Sequence, residues 1–218
     1  MTDAGDNRTA PSRSVIGRGE PLLPDEPHTV AELFTKAAAR HNRADALNFK
    51  KDGKWHQISS REIVQFAEEI ALGLYSLGIR KGDKAAILAA NSPEWTLADA
   101  GCQFAGVLDV PIYTTLAPNS VSYILNDSAS KLLFVDTLAS YERIAQSLKE
   151  CPTVEHIVFF DGTVDVEGSM SLDRLRELGR EHAADKGSEL AEQLRSSVKP
   201  EDIATLIYTS GTTGEPKG

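Results

Sequence analysis

The chain has 218 residues, with 23 Lys and Arg against 32 Asp and Glu for a formal net charge of −9, 41% hydrophobic residues and two cysteines. A chain of this size buries roughly 70% of its unfolded surface and needs no staple. Cys102 and Cys151 form no C-x-x-C pair, which excludes a zinc knuckle, a redox pair and a disulfide framework. The acidic balance without any basic run excludes a nucleic-acid surface.

Residues 1–6 lack the basic and apolar regions of a signal peptide. The best candidate membrane span, 95–113, contains Asp99 and Asp109, each costing about 2.5–3.5 kcal/mol at a bilayer centre. A cytoplasmic α/β protein is the resulting expectation.

Residues 1–27 carry Pro11, Pro21, Pro24 and Pro27 and show no apolar period, which predicts a mobile tail. Thr29-Val30-Ala31-Glu32 fits a capping box and opens a helix with Val30, Leu33, Phe34, Ala37 and Ala38 at helical spacing. The runs 46–49 and 55–58 flank Asp52-Gly53 and read as a hairpin. A second capping box, Ser59 to Glu62, starts a long helix with Ile63, Phe66, Ile70, Leu74 and Leu77 on one face and Gly78 at its stop.

Strand and helix then alternate: strand 84–90, a helix from Ser92-Pro93 to about 105, strand 107–112, helix 118–125, strand 132–135, helix 140–149 and strand 156–160. That order predicts an α/β fold, a mostly parallel sheet flanked by helices. Residues 161–202 hold eleven acids against six Lys and Arg, with leucines at 172, 175, 178, 190 and 194. They read as an acidic helical excursion on the surface, two short helices carrying −5 of the net charge as a solvated face. Residues 203–208 return to a core-type strand.

That strand runs into Thr209-Ser210-Gly211-Thr212-Thr213-Gly214-Glu215-Pro216-Lys217-Gly218. Gly211, Gly214 and Gly218 admit positive φ and a close backbone approach to an anion. Thr209, Ser210, Thr212 and Thr213 offer four hydroxyls, and Lys217 a mobile cation. The spacing is not that of a Walker A loop, since Glu215 and Pro216 separate Gly214 from Lys217. Neither G-x-G-x-x-G in a strand–helix context nor G-x-S-x-G occurs.

This stretch resembles, at every position, the phosphate-loop signature of the adenylate-forming superfamily: acyl-CoA synthetases, luciferases and peptide-synthetase adenylation domains. Residues 57–63 and 104–112 are similar to two further core regions in the right order, so the resemblance covers about 28–218. The segments 110–116, 123–128 and 206–208 look most like bacterial long-chain fatty acyl-CoA synthetases, with Asp109 standing where many relatives carry a small residue.

The resemblance implies an N-terminal fragment of a large adenylating domain. It implies a parent ligase that joins a fatty acid to ATP and passes the acyl group to coenzyme A, with Mg²⁺. Thr209, Ser210, Gly211, Thr212, Thr213, Gly214 and Lys217 would bind the ATP phosphates. The adenine, ribose and lysine motifs and the C-terminal domain of the family are not in these residues, so the resemblance implies no catalytic residue here and no turnover by the fragment. It leaves open a fatty acyl-AMP ligase or related acid-activating enzyme, a non-catalytic nucleotide-binding or assembly module, peripheral membrane association and a homodimer.

His28, His41, His56, His156 and His182 lie in no ligand or nucleophile spacing. Trp95 reads as part of a packed helix face. Tyr113, Thr114 and Thr115 follow a parallel strand, where ligands of open sheets gather, and read first as loop packing.

Overall fold

The structure, a computed structural model, describes residues 25–186, 189–210 and 216–218. The expected tail over 1–27 therefore lies, as far as residue 24, outside the described residues.

Helix α1, Val30–His41, is capped by Thr29, whose side chain accepts from the Glu32 amide. The Glu32 carboxylate reaches past the cap to the His28 amide at 2.8 Å, so the expected reciprocal box closes one residue further out. Strands β1, Leu47–Lys51, and β2, Lys54–Ile58, pair antiparallel. Asp52 and Gly53 both take positive φ between them, as a two-residue hairpin turn of the primed type requires. Helix α2, Ser60–Ser76, carries the full capping box: the Ser59 side chain accepts from the Glu62 amide and the Glu62 side chain from the Ser59 amide.

The core follows as β3, Lys84–Leu88; α3, Pro93–Ala105; β4, Leu108–Ile112; α4, Pro118–Ser128; β5, Leu132–Val135; α5, Leu138–Leu148; and β6, His156–Phe159. Strand β7, Ser169–Ser171, completes a sheet ordered β4-β3-β5-β6-β7, parallel throughout. From β3 the chain moves through α3 to β4 at one edge, then back past β3 through α4 to β5. Right-handed crossovers in opposite directions place α3 and α4 on opposite faces. Strand alternation sorts the core accordingly. Ala85, Ile87, Leu132 and Phe134 pack with residues of α1, α2 and α3, whereas Ala86, Leu88, Leu133 and Val135 pack with residues of α4 and α5.

The 161–202 excursion is corrected. Helix α6, Leu172–Lys186, is fifteen residues long and lies along α2, with Leu172 and Leu175 buried. Its leucine spacing marks a core face, and its acids point outward: Asp173, Glu177 and Glu181 are exposed. Arg176 and Arg180, both at 2.9 Å, pair with Glu69 of α2, whose side chain is buried. Helix α7, Glu189–Ser197, buries no residue fully.

Residues 203–208 are also corrected, because they make one bridge with β4 rather than a continuous strand. Asp109 donates its amide to Ala204 O at 3.4 Å and accepts from the Leu206 amide at 3.0 Å. In a parallel ladder every second residue of β4 faces the same neighbour, so the next rung falls on Pro111. Proline has no N–H to donate, and the ladder stops. The segment still alternates: Tyr208 is buried, while Ile203 and Ile207 face outward at 65% and 55% exposure.

Candidate phosphate-loop site

Because the Asp109–Thr205 bridge is parallel, Thr209 leaves the sheet at the carboxyl edge, the side on which open α/β sheets bind ligands. Two short strands, β8, Thr209–Ser210, and β9, Pro216–Lys217, pair antiparallel with Thr209 opposite Lys217 and Ser210 opposite Pro216. The ten-residue motif is thereby closed at its base. Thr209 and Lys217 are exposed. Gly211, Thr212, Thr213 and Gly214 lie outside the described residues.

The base of the loop rests on Tyr208. Its hydroxyl donates to Asp127 Oδ2 at 2.6 Å from the end of α4, and burial, followed by that bond and the Asp127 charge, raises its pKa well above the usual phenol range. Gly218 packs on the same ring, where a Cβ would come within 2.8 Å of Tyr208 Cζ. For Gly218 the structure thus supplies a steric reason, the close approach of backbone to ring, beside the conformational one read from sequence.

Tyr113, Thr114 and Thr115 come to the same edge after β4. Tyr113 is 70% exposed and so is not packed as the sequence suggested. Arg143 of α5 donates to the Leu116 and Thr114 carbonyls, at 2.5 and 2.6 Å, and holds that turn down. Trp95 packs partly buried against the core, as expected. His56 stacks on Phe49, His156 Nε2 lies 3.3 Å from Leu77 O, and His182 sits beside the Tyr75 ring. Among the described residues no three His, Cys, Asp or Glu side chains gather as a metal site. No described helix is long and apolar enough to cross a membrane.

Behind the loop lies a polar cluster that sequence spacing does not announce. Gln103 Nε2 lies 3.2 Å from Asp99 Oδ1, 3.1 Å from Asp109 Oδ1 and 3.2 Å from Ala204 O. Asp109 is 3% exposed. Burial first, and then the Asp99 charge, push its pKa up to about 7, against the opposing bonds from Thr205 and Gln103. Burial raises Asp99 as well, and burial with both carboxylates raises the Cys102 thiol. The reactivity of that thiol is correspondingly low. The only sequence signal for the cluster is an acid within an otherwise apolar strand.

A family model described as AMP-binding enzyme matches residues 34–218, and the chain belongs to that family. It is 33% identical over 203 residues to the long-chain-fatty-acid–CoA ligase ACSBG1 of Mus musculus, covering 92% of this chain and 28% of the relative. To the long-chain-fatty-acid–CoA ligase FadD15 of Mycobacterium bovis it is 36% identical over 198 residues, covering 88% of this chain and 32% of the relative. The chain thus spans about a third or less of these relatives. Among solved structures, the anthranilate CoA ligase AuaEII in complex with anthranoyl-AMP superimposes with TM-score 0.68 at 24% identity, covering 88% of this chain and 35% of that one. Coronafacic acid ligase from Pectobacterium brasiliense gives TM-score 0.59 at 22% identity, covering 68% and 29%. These likenesses establish the fold, which is the one that the sequence resemblance implied.

Proposed function

We propose that these residues are the N-terminal part of a long-chain fatty acid–CoA ligase and that Thr209–Gly218 is its phosphate loop. The observation that carries this reading is the closure of the motif by the Thr209–Lys217 pairing at the carboxyl edge of the sheet. It is supported by long-chain fatty acid ligases on both the animal and the bacterial side of the comparison. In the reaction a fatty acid carboxylate attacks the α-phosphorus of ATP, the bond to the bridging oxygen breaks, and pyrophosphate leaves. The coenzyme A thiol then displaces AMP from the acyl carbon.

The loop's part is to hold the leaving group. The hydroxyls of Thr209, Ser210, Thr212 and Thr213 and the amides of Gly211 and Gly214 would donate to the β- and γ-phosphates. Lys217 would offset charge as it builds on pyrophosphate, which stabilises the transition state more than the ground state. Mg²⁺ would travel with the nucleotide. A pyrophosphate-release screen of the complete polypeptide across acyl chain lengths, with and without coenzyme A, tests this. Release with long-chain fatty acids, with thioester formed only when coenzyme A is present, supports it. Release without any thioester would indicate an acyl-AMP ligase, and no release with any acid would indicate a non-catalytic module. Either outcome overturns the proposal.

A further inference from the structure

Strand alternation divides the base of the loop into two faces. With Thr209 opposite Lys217 and Ser210 opposite Pro216, the next rung toward the sheet sets Tyr208 opposite Gly218. Successive residues of a strand point to opposite faces, so Tyr208 and Gly218 share one face while Thr209 and Lys217 share the other. Burial decides which is which. Tyr208 belongs to the core on the α4–α5 side of the sheet, whereas Thr209 and Lys217 are exposed.

The Tyr208 ring holds that arrangement from both ends. Its hydroxyl is fixed to Asp127 Oδ2 at 2.6 Å, in the last turn of α4. A Cβ built on Gly218 would meet Cζ at 2.8 Å, Cε2 at 2.9 Å and Cε1 at 3.1 Å. Three near-equal distances to adjacent ring atoms put that point over the face of the ring rather than beyond its rim. Only a residue without a Cβ fits at this separation. Backbone pairing by itself specifies the register weakly, since two rungs are described and Pro216 brings no N–H to its own. A slip of one residue would set Lys217 opposite Tyr208, with its side chain driven against the ring and its ammonium turned toward the core.

We infer that Tyr208 is a positioning residue: its ring, anchored on α4 and paired with Gly218, locks the register of β8 and β9 in which Lys217 and Thr209 face away from the core. The lock is a property of this chain; its effect on ATP rests on the ligase reading above. There it keeps the Lys217 ammonium and the Thr209 hydroxyl on the side from which the phosphates approach.

Two measurements separate the lock from that reading. In NMR spectra of the wild-type chain, the Gly218 α-proton that stands in the place of a Cβ should resonate upfield of its geminal partner, shielded by the ring. Thr209 should show cross-strand contacts to Lys217. Gly218→Ala, which leaves every core side chain in place, and Tyr208→Leu, which removes the ring, should each abolish those contacts. An unshielded Gly218 in wild type, or Thr209–Lys217 contacts that survive in Gly218→Ala, overturns the inference, and the wild-type spectrum decides it even if Tyr208→Leu does not fold.

In the complete ligase, Gly218→Ala should slow fatty-acid-dependent ATP–pyrophosphate exchange about 10²-fold at an unchanged melting temperature. In a Lys217→Ala background the same change should cost little more, because the group it misplaces is already gone. No slowing, or a loss that multiplies in full with that of Lys217→Ala, overturns the positioning role. An absence of exchange by wild type under all conditions overturns the ligase reading and leaves the lock to the NMR result.

Discussion

Gly179 of α6 lies directly on the backbone of α2, where a Cβ would overlap the carbonyl oxygen of Glu69. The contact is backbone to backbone, with Gly73 of α2 meeting the Leu175 carbonyl in the same way, so no side chain can swing aside to make room. Gly179→Ala should therefore cost about 2–3 kcal/mol despite the gain in helix propensity. Urea denaturation should show a lowered midpoint at unchanged slope. Unchanged stability would mean that α6 does not dock on α2 at this distance.

Tyr208 ties the segment before the loop to α4 through its bond to Asp127. Tyr208→Phe keeps the ring against Gly218 and removes only that bond. A bond to a carboxylate contributes about 1.5–3 kcal/mol, and exposure of Asp127 places the expected loss at about 1 kcal/mol. Equilibrium unfolding measures the loss, and amide exchange at Thr209 should quicken with it.

The capping box of α2 is complete in both directions. Ser59→Ala should destabilise the chain by about 1 kcal/mol, and Ser59→Asp by much less, since aspartate also accepts from the amide of the first turn. Circular dichroism melts of the two variants check the order.

How far these features could be read beforehand depends on how local they are. Helix α3 runs from Pro93 to Ala105 as expected, because Ser92, Pro93 and Gly106 are start and stop signals adjacent in sequence. The buried strands β3 and β5 were legible as short apolar runs. Helix α6 was legible as a helix but not as a core element: leucine spacing reports an apolar face, whereas its cover, Gly73 and Glu69, lies a hundred residues earlier. The Ser-Met-Ser strand β7 has no strand preference and exists only because β6 offers it an edge. Residues 203–208 look like a core strand until Pro111, far upstream, is placed beside them.

The loop's residue types point to phosphate binding from sequence, and the structure adds the Thr209–Lys217 closure at its base. The Asp99–Gln103–Asp109–Thr205 cluster is drawn from a helix, a strand and a distant segment and has no spacing to recognise.

Stability should fall as pH rises from about 4 to about 7 and level off beyond. Asp109 binds a proton in the folded chain up to about pH 7, whereas an unfolded aspartate releases it near pH 3.9. In that window the folded state holds more protons, so the slope of unfolding free energy with pH is negative. The loss should approach about 4 kcal/mol if the titration is complete. Glu32, Glu62, Asp161 and Asp202 have lowered values, so their contributions are lost only at more acid pH. Urea midpoints at about pH 5 and pH 8 measure the effect, and Asp109→Asn should flatten it. A wild-type chain more stable at the higher pH contradicts the assignment.

The central claim is that Thr209–Gly218 holds the phosphates of ATP while pyrophosphate departs. Lys217 is exposed, and in the described structure it is joined to Thr209 through backbone pairing, so Lys217→Ala should leave folding intact. The most direct measurement is fatty-acid-dependent ATP–pyrophosphate exchange by the complete polypeptide, wild type against Lys217→Ala. Removal of one charge-stabilising group of this kind typically costs about 10²–10³ in rate, and a loss of that order, with an unchanged melting temperature, is the predicted result. An unchanged exchange rate would contradict it.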